Sequence, residues 1–292
     1  MSLLVKNVNK SFGTKKVVDN LSFELNKPGV FGLLGTNGAG KTTSIRMILG
    51  IIKKDSGEIS FNGKSVTRKN VNFGYLPEER GLYPKSKIYD QLMYFANLKG
   101  MSKVDGDKAI RYWLDKLKVS EYINYTAEKL SKGNQQKIQF ITAVLHNPDL
   151  IVLDEPFSGL DPVNTEILSN VMKELISEGK YIIMSSHQMN SVEEFCTDLI
   201  ILNRGKTVLK GNLKDIKSSY NSSKVLVETD DNIDSIIKKL KLNILSSNDG
   251  VYIIENSNKD LLKELCDNNI NVSKYEIVKP SLHEIFIEKV GE

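Results

Sequence analysis

The sequence contains Gly35-Thr36-Asn37-Gly38-Ala39-Gly40-Lys41-Thr42, a stretch that fits the phosphate-loop pattern G-x-x-x-x-G-K-[ST]. The apolar residues 30–34 before it predict a buried strand, and residues 42–49 after it predict a helix that Gly50 ends. A strand, a glycine-rich turn and a helix N-terminus form an anion site, because backbone N–H groups converge there and the helix dipole adds positive potential. The stretch therefore predicts a loop that binds phosphates.

The residue types in this loop suit that task. Gly35, Gly38 and Gly40 allow the backbone to turn tightly and to approach a ligand closely. Lys41 should reach the outer phosphates, and the hydroxyl of Thr42 should bind Mg²⁺. The alternative is a glycine-rich turn with an incidental lysine, and the strand and helix that flank the loop in register argue against it.

Composition places the chain among ordinary globular proteins, with 40% hydrophobic and 26% charged residues. Its length of 292 residues predicts one large domain with a smaller one, or one oversized domain. A net charge of +4 is too small to indicate nucleic acid as a partner. Cys196 and Cys266 form no metal pattern and favour a reduced, cytosolic protein. The sequence shows neither a signal peptide nor an apolar run of about 18 residues, so we expect any membrane role to act through a partner.

Alternating apolar and polar residues predict an antiparallel β part at the start of the chain. Residues 3–8 and 17–25 form two strands around Phe12-Gly13-Thr14, and periodicity alone makes Phe12 a core aromatic. Further strands are predicted at 58–62 and 73–76.

Residues 86–147 then predict an all-helical insertion. Its second helix should follow Asp105-Gly106, and its third should follow Leu130-Ser131-Lys132-Gly133-Asn134. The continuous apolar runs at 150–153 and 181–184 are typical of strands buried on both faces of a parallel sheet. With the helices between them, they predict a doubly wound α/β core.

The last part of the chain has a separate pattern. After a boundary at 218–223, strands and helices follow in the order β-α-β-β-α-β, which suggests a ferredoxin-like α+β domain. It shows no catalytic constellation, and we expect His283 to be a surface or packing histidine.

Acidic residues and a histidine follow the two apolar runs of the core. A parallel strand that ends beside a phosphate loop delivers a carboxylate to Mg²⁺, and we expect Asp154 to be that ligand. Glu155 is then placed to accept a proton from the attacking water as a general base, whereas the alternative is a solvated pair of acids. His187 alone would be an ordinary loop histidine; beside a γ-phosphate it could donate a hydrogen bond.

Taken in order, these motifs resemble those of the ATP-binding subunits of ABC transporters. The matching stretches are the phosphate loop at 35–43, the signature Leu130-Ser131-Lys132-Gly133-Asn134 followed by Gln135-Gln136, Ile151-Val152-Leu153-Asp154-Glu155-Pro156, the D-loop Ser158-Gly159-Leu160-Asp161, and Ser185-Ser186-His187. The resemblance covers residues 1 to about 215. It implies a P-loop NTPase fold of ABC type, with the small C-terminal domain added.

The resemblance also implies a mechanism. Two such domains pair head to tail, as a homodimer or with a related ATP-binding subunit, and each ATP with Mg²⁺ lies between one chain's phosphate loop and the other chain's signature. Closing and opening of the pair drives an integral membrane permease at the cytoplasmic face of the cell membrane. The residues implied in binding nucleotide are Phe12, which stacks on adenine, with Gly35, Asn37, Gly38, Ala39, Gly40, Lys41, Thr42 and Thr43; those implied in trans are Ser131, Lys132, Gly133 and Asn134, and Asp161 belongs to the D-loop.

The sequence departs from the family's pattern at three positions. Lys132 replaces the first glycine of the signature, and Asn134 replaces its glutamine. Glu78 stands where the family's loop usually carries a glutamine; a carboxylate there can still bind Mg²⁺ or position water, so we expect an active site. Together with the small last domain, one stretch resembles the exporter branch typified by sodium- and antibiotic-efflux ATPases. It is Leu76-Pro77-Glu78-Glu79-Arg80-Gly81-Leu82-Tyr83-Pro84.

By the same resemblance, residues 79–90 should meet the cytoplasmic helices of the permease, through Arg80, Tyr83, Lys85 and Lys87. A plain solvated loop is the alternative, although loops often carry function.

The leading hypothesis is the energy-coupling subunit of an ABC exporter, whose cargo the permease would recognise. A soluble ABC-type ATPase of translation or DNA repair is the second, but such chains usually carry two ATPase cores or a long coiled-coil insertion. A third makes the last domain a ligand-sensing regulator. We predict domains at 1–217, with the insertion at 86–147, and at 224–292.

Overall fold

The phosphate loop joins a buried strand to a helix, as the sequence predicts. The computed structural model describes residues 2–67, 69–79, 81–220, 224–255 and 260–291. In chain order the elements up to residue 212 are β1 (Leu3–Phe12), β2 (Lys15–Leu25), β3 (Gly29–Gly35), α1 (Lys41–Ile48), β4 (Ser56–Phe61), β5 (Lys64–Ser65), β6 (Phe73–Leu76), α2 (Ile88–Leu98), α3 (Lys103–Lys116), α4 (Lys132–Val144), β7 (Leu150–Asp154), α5 (Pro162–Ser177), β8 (Tyr181–Ser185), α6 (Met189–Phe195), β9 (Cys196–Asn203) and β10 (Lys206–Asn212).

The central sheet has six strands in the order β10-β9-β3-β8-β7-β6. Its strands pair in parallel except for β10, which pairs antiparallel with β9 at one edge. Every residue of β3, β7 and β8 is buried, as expected of strands covered on both faces. The predicted doubly wound α/β core is confirmed, and the carboxyl ends of these three strands meet at one edge.

A second sheet, antiparallel and in the order β2-β1-β4-β5, shares a hydrophobic core with α1 and the central sheet. Phe23 and Phe31 stack across this core with ring centroids 4.3 Å apart. Ile45 and Ile48, on one face of α1, are fully buried in the same core. Each such side chain contributes roughly 1.5–3 kcal/mol through burial, so the core holds the start of α1 in place under the loop.

The helical insertion is confirmed, but its second helix begins earlier than predicted. α3 begins at Lys103 rather than after Asp105-Gly106, because the Ser102 hydroxyl accepts a hydrogen bond from the Asp105 N–H (3.1 Å) and caps the helix. A Cβ atom at the buried Gly106 would lie 3.1 Å from the Met93 sulfur, so glycine here allows α2 and α3 to pack closely.

The third helix of the insertion also begins earlier than predicted. α4 begins at Lys132, and Ser131 caps it by accepting a hydrogen bond from the Asn134 N–H (3.2 Å). Three of the signature residues therefore form the first turn of α4 rather than a loop before it.

The last part of the chain forms a four-stranded antiparallel sheet, which confirms the ferredoxin-like prediction. Its strand order is β12 (Asn243–Asn248), β13 (Val251–Glu255), β11 (Lys224–Thr229) and β14 (Val272–Val278). Val227, Ile237, Ile254 and Leu265 belong to its own core, and His283 is exposed. Its elements are α7 (Leu213–Ser219), β11 (Lys224–Thr229), α8 (Asp234–Leu240), β12 (Asn243–Asn248), β13 (Val251–Glu255), α9 (Leu261–Asp267), β14 (Val272–Val278) and α10 (Leu282–Gly291).

The chain divides into two compact units, Met1–Leu213 with Lys289–Glu292, and Lys214–Glu288. Part of the predicted boundary, residues 221–223, lies outside the described residues. The domain limits drawn from the sequence stay predictions. Across the described ranges, we find no helix that combines the length and the apolar character needed to cross a membrane.

The carbonyl oxygen of Phe73, at the start of β6, accepts hydrogen bonds from Lys99 Nζ (2.7 Å) and from His146 Nε2 (3.0 Å). Burial and then the charge of Lys99 lower the pKa of His146 to about 4, although the bond to Phe73 acts in the opposite direction. His146 is thus a neutral donor at the edge of the sheet that carries the site.

This arrangement predicts a pH dependence of stability. The unfolded chain binds a proton at His146 near its ordinary pKa of 6.5, whereas the native chain binds it only near 4, so the free energy of unfolding should fall as the pH drops between these values. His146→Gln keeps a donor but removes the titration. As the pH falls across this window, the unfolding free energy of His146→Gln, measured by urea titration, should therefore decrease less than that of the parent. The same pH dependence in both proteins would contradict the assignment.

Candidate functional site

The phosphate loop has a backbone that only glycine permits at its two closest approaches. Gly40 is the left-handed N-cap of α1 (φ 104°), and a Cβ atom there would lie 2.7 Å from the Val17 carbonyl oxygen. A Cβ atom on Gly35 would lie 2.5 Å from the Leu202 carbonyl oxygen. No side chain within the described ranges caps α1, so its first-turn N–H groups are available to an anion.

A hollow of about 160 Å³ lies over this loop. It is lined by Val17, Asn37, Gly38, Gly40, Lys41, Thr42, Thr43 and Glu78. Lys41 is only 9% exposed, and its ammonium donates to the carbonyl oxygens of Gly35 (2.8 Å) and Thr36 (3.2 Å). The cation is therefore fixed over the loop, where it can meet phosphate oxygens.

Asp154 ends β7 and is almost completely buried. The Ser185 hydroxyl donates to its Oδ1, whereas its Oδ2 has no hydrogen-bond partner among the described residues. Burial raises the pKa of the Asp154 carboxyl, and the charge of Glu78 acts in the same direction. The hydrogen bond from Ser185, then the nearby Thr42 hydroxyl and the charge of Lys41, oppose that rise in the pKa.

These residues fit Mg²⁺. Asp154 and Thr42 line a second hollow, of about 220 Å³, together with Arg46, Tyr75, Pro77, Glu78, Glu79 and Gly81. A buried carboxylate oxygen without a partner, beside a hydroxyl, offers the hard oxygen ligands that Mg²⁺ prefers. Across the described ranges, no group of three or more histidine, cysteine, aspartate and glutamate side chains could hold a metal ion. Mg²⁺ is commonly held by one or two carboxylates together with phosphates.

Glu155 has a left-handed backbone, with φ 53°. Its N–H donates to the carbonyl oxygen and to the hydroxyl of Ser185, each at 3.2 Å. Its Oε2 lies 2.9 Å from His187 Nδ1 and accepts the His187 N–H at 3.3 Å. Two residues predicted separately are thus brought into contact, with a nearly buried carboxylate (6% exposed) beneath an imidazole that is 63% exposed.

Two glutamines of α4, at positions 136 and 139, hold the loops beside this site. Gln136 Nε2 donates to the carbonyl oxygens of Pro156 (3.1 Å) and Glu155 (3.4 Å). Gln139 Nε2 donates to those of Pro77 (3.1 Å) and Glu79 (2.9 Å). The sequence motifs do not single out Gln139; the available signal is a polar residue one turn beyond Gln136, in a helix that is mostly buried from Gln136 onward.

The signature does not line either hollow among the residues described. Ser131 and Lys132 are exposed at the start of α4, whereas Gly133 is buried near Asn164 of α5. Asp161 caps α5 by accepting the Asn164 N–H (2.9 Å), and this bond lowers the pKa of its carboxyl. The start of α4 therefore contacts the D-loop region of its own chain and leaves Ser131 open.

Two further site residues of the sequence analysis lie at the surface. Phe12 is 50% exposed at the end of β1, so the core role suggested by periodicity is wrong; Lys10 Nζ lies 5.2 Å from its ring centroid. Adenine stacking by Phe12 stays a prediction. Glu78 is exposed and lines both hollows, and Arg80 lies outside the described residues.

Comparisons with known proteins agree with this geometry. The ABC transporter family matches residues 18–158, and the C-terminal domain of DrrA1-3-like ATP-binding proteins matches residues 211–290. The chain is 46% identical, over 99% of its length and 98% of the relative's, to the uncharacterized ABC transporter ATP-binding protein YhaQ of Bacillus subtilis.

Two further similarities are more distant. The chain is 32% identical to the Nod factor export ATP-binding protein I of Paraburkholderia xenovorans, over 70% of its length and 68% of the relative's. A solved ATP-binding subunit of an ABC transporter superposes with a TM-score of 0.69 at 30% identity, over 75% of this chain and 93% of that one.

The position of Lys41 leads to a binding prediction. Lys41→Ala removes the cation over the phosphate loop, and ATP affinity measured by calorimetry should fall by about 100-fold or more, equivalent to about 2.7 kcal/mol. Lys53→Ala, which changes an exposed lysine outside the loop, is the control and should bind as the parent does. Unchanged affinity in a folded Lys41→Ala protein would remove Lys41 from the binding site.

Proposed function

The chain belongs to the ABC transporter family of ATP-binding subunits, and on that basis we propose that it hydrolyses ATP to drive export through a separate membrane permease. One observation carries the catalytic part: Glu155 is buried, follows directly on Asp154, which lines the second hollow, and is held by both Ser185 and His187. A carboxylate fixed beside a phosphate site is what water activation requires.

Each residue of the site has a role in this proposal. Lys41 and the first-turn N–H groups of α1 bind the phosphates of ATP. Thr42, Asp154 and Glu78 would hold Mg²⁺, which when bound neutralises charge that develops on the transferred phosphoryl group. Glu155 accepts a proton from the attacking water, and His187 holds its carboxylate in place.

Pairing of two ATP-binding subunits, identical or related, completes the proposal. The signature residues Ser131 to Asn134 lie outside both hollows of their own chain, and Ser131 is exposed at a helix N-terminus. Such a position suits contact with a phosphate held by another chain. Ser131 caps α4 with its oxygen, so its O–H remains able to donate.

Export and a peripheral location rest on similarity. The Nod factor relative is named for export, and the domain match at 211–290 is to an ATP-binding protein family. We propose that a permease holds the chain at the cytoplasmic face of the membrane. The alternative of a soluble ATPase in translation or DNA repair has less support, because the chain contains one ATPase core.

A groove at residues 83–94 is the surface we propose for the permease. It measures about 290 Å³ and is lined by Tyr83, Ser86, Asp90, Gln91 and Tyr94. Gln91 accepts the Tyr83 N–H (2.8 Å) and donates to the Tyr83 carbonyl oxygen (3.0 Å), so the backbone is fixed while the Tyr83 side chain is 55% exposed. The aromatic rings are therefore presented on a rigid base.

Replacing Glu155 tests the catalytic proposal. Glu155→Gln keeps size and hydrogen bonding but removes the base, so ATP turnover should fall by roughly 10²–10⁴ while ATP binding survives. The ATP-bound pair should then accumulate, because hydrolysis is what reopens it. Light scattering after size exclusion should show an ATP-dependent dimer for this variant and mostly monomer for the parent.

A second change in the same protein tests the pairing. Ser131→Arg places a bulky side chain at the start of α4 and should abolish the dimer of Glu155→Gln. Turnover at the parent rate in Glu155→Gln would exclude Glu155 as the base and leave Glu78 as the next candidate. A dimer that survives Ser131→Arg would exclude the signature contact.

The groove predicts a coupling phenotype. Tyr83→Ala should reduce recovery of a multi-span membrane protein with the tagged chain from detergent extracts, and should lower transport more than ATP binding. Adding charge reversal at Arg80 should strengthen the effect. Tyr112→Ala, which removes an equally exposed tyrosine (52%) from α3, serves as the control. Full recovery and transport in the Tyr83 variant would contradict the assignment of this groove.

A further inference from the structure

One buried amide group holds the backbone on both sides of Glu78. Gln139 is 2% exposed, and its Nε2 donates to the carbonyl oxygens of Pro77 (3.1 Å) and Glu79 (2.9 Å). Glu78 lies between these two carbonyls, and its exposed side chain lines both hollows. Because the carbonyl groups on both sides are held, the backbone of Glu78 is restrained while its side chain can still rotate. Gln139 therefore determines the position from which the Glu78 side chain extends.

Packing alone does not explain a glutamine at this position. Ile138, Phe140 and Ile141 around it are fully buried, and an aliphatic residue would fill the same space. The Gln139 Oε1 atom is buried and has no hydrogen-bond partner in the described part of the chain, which costs stability. The two bonds from Nε2 are what a leucine or methionine would lack, and both of them go to the loop that carries Glu78.

The same helix also holds the neighbouring carboxylate. Gln136, one turn earlier on α4, donates to the carbonyl oxygens of Glu155 and Pro156. Two loops, one from the end of β6 and one from the end of β7, are therefore fastened to a single helix by the same type of bond.

We propose that Gln139 is a positioning residue for Glu78 in ATP hydrolysis. It acts by holding the Pro77–Glu79 backbone on α4, so that the Glu78 carboxylate stands at the metal and phosphate site. The inference rests on the proposed ATPase function and adds to it a residue outside the family's motifs.

The first readout does not depend on activity. Gln139→Met preserves volume but removes both bonds, and the nucleotide-free protein should be cleaved after Glu78 or Glu79 by a glutamate-specific protease several-fold faster than the parent. Cleavage after Glu178, exposed at the end of α5, is the internal reference and should not change. Asn72→Ala removes an amide-to-carbonyl bond at the opposite end of β6 and is the matched control.

The second readout is a double-mutant cycle with Glu78→Gln. Gln139→Met alone should lower the ATPase rate roughly 10- to 100-fold, the cost of a misplaced catalytic group, with ATP affinity retained. In the Glu78→Gln background the same change should have little further effect, because the carboxylate it positions is already gone. Gln139→Asn, which keeps an amide that is too short to reach both carbonyls, should behave as Gln139→Met does.

Two results would overturn the proposal. One is an unchanged cleavage rate after Glu78 and Glu79 in folded Gln139→Met and Gln139→Asn. The other is a rate loss from Gln139→Met that is equally large with and without the Glu78 carboxylate, since this would indicate a general structural effect. If the parent showed no ATPase activity the proposed function would fail instead, while the cleavage assay would still report whether Gln139 holds the loop.

Discussion

The site depends on the parallel pairing of β7 with β8, which sets Asp154 opposite Ser185. One buried hydroxyl then connects the two acidic residues, because it donates to the Asp154 carboxylate and accepts the N–H of Glu155. The left-handed backbone of Glu155 brings its carboxylate to His187. A register shift of one residue would send each side chain to the opposite face of the sheet, and the whole arrangement would be lost.

Much of this architecture is visible in the sequence for a physical reason. Strands buried on both faces, such as β3, β7 and β8, leave uninterrupted apolar runs, and the loops after them must carry the polar chemistry. The phosphate loop is also predictable from the sequence, because Gly35 and Gly40 occupy positions where any Cβ atom would meet a carbonyl oxygen. Local rules suffice wherever the residues that matter are neighbours in the chain.

The features that the sequence did not predict share a different cause. Gly106 looks like a helix breaker, yet a serine cap before it and a close helix contact beside it make it part of α3. Phe12 follows an apolar alternation but ends a strand at the surface. The partners of Gln139 are carbonyl groups about sixty residues earlier in the chain, and the His187–Glu155 contact spans more than thirty residues. Such pairs form only once the sheet has formed, so a local pattern can mark the polar residue but cannot identify its partner.

The anchoring of both acidic loops to α4 has a consequence for how two such chains would work together. The helix begins at the exposed signature and holds, within its next two turns, the backbone beside Glu155 and Glu78. If the signature binds a nucleotide held by the partner, as proposed above, a tilt of α4 would also move the backbone beside Glu155 and Glu78 of its own chain. Nucleotide bound at one site of the pair would then change the position of the acidic residues at the other site. The rate of ATP hydrolysis at each site would therefore depend on whether the other site is occupied.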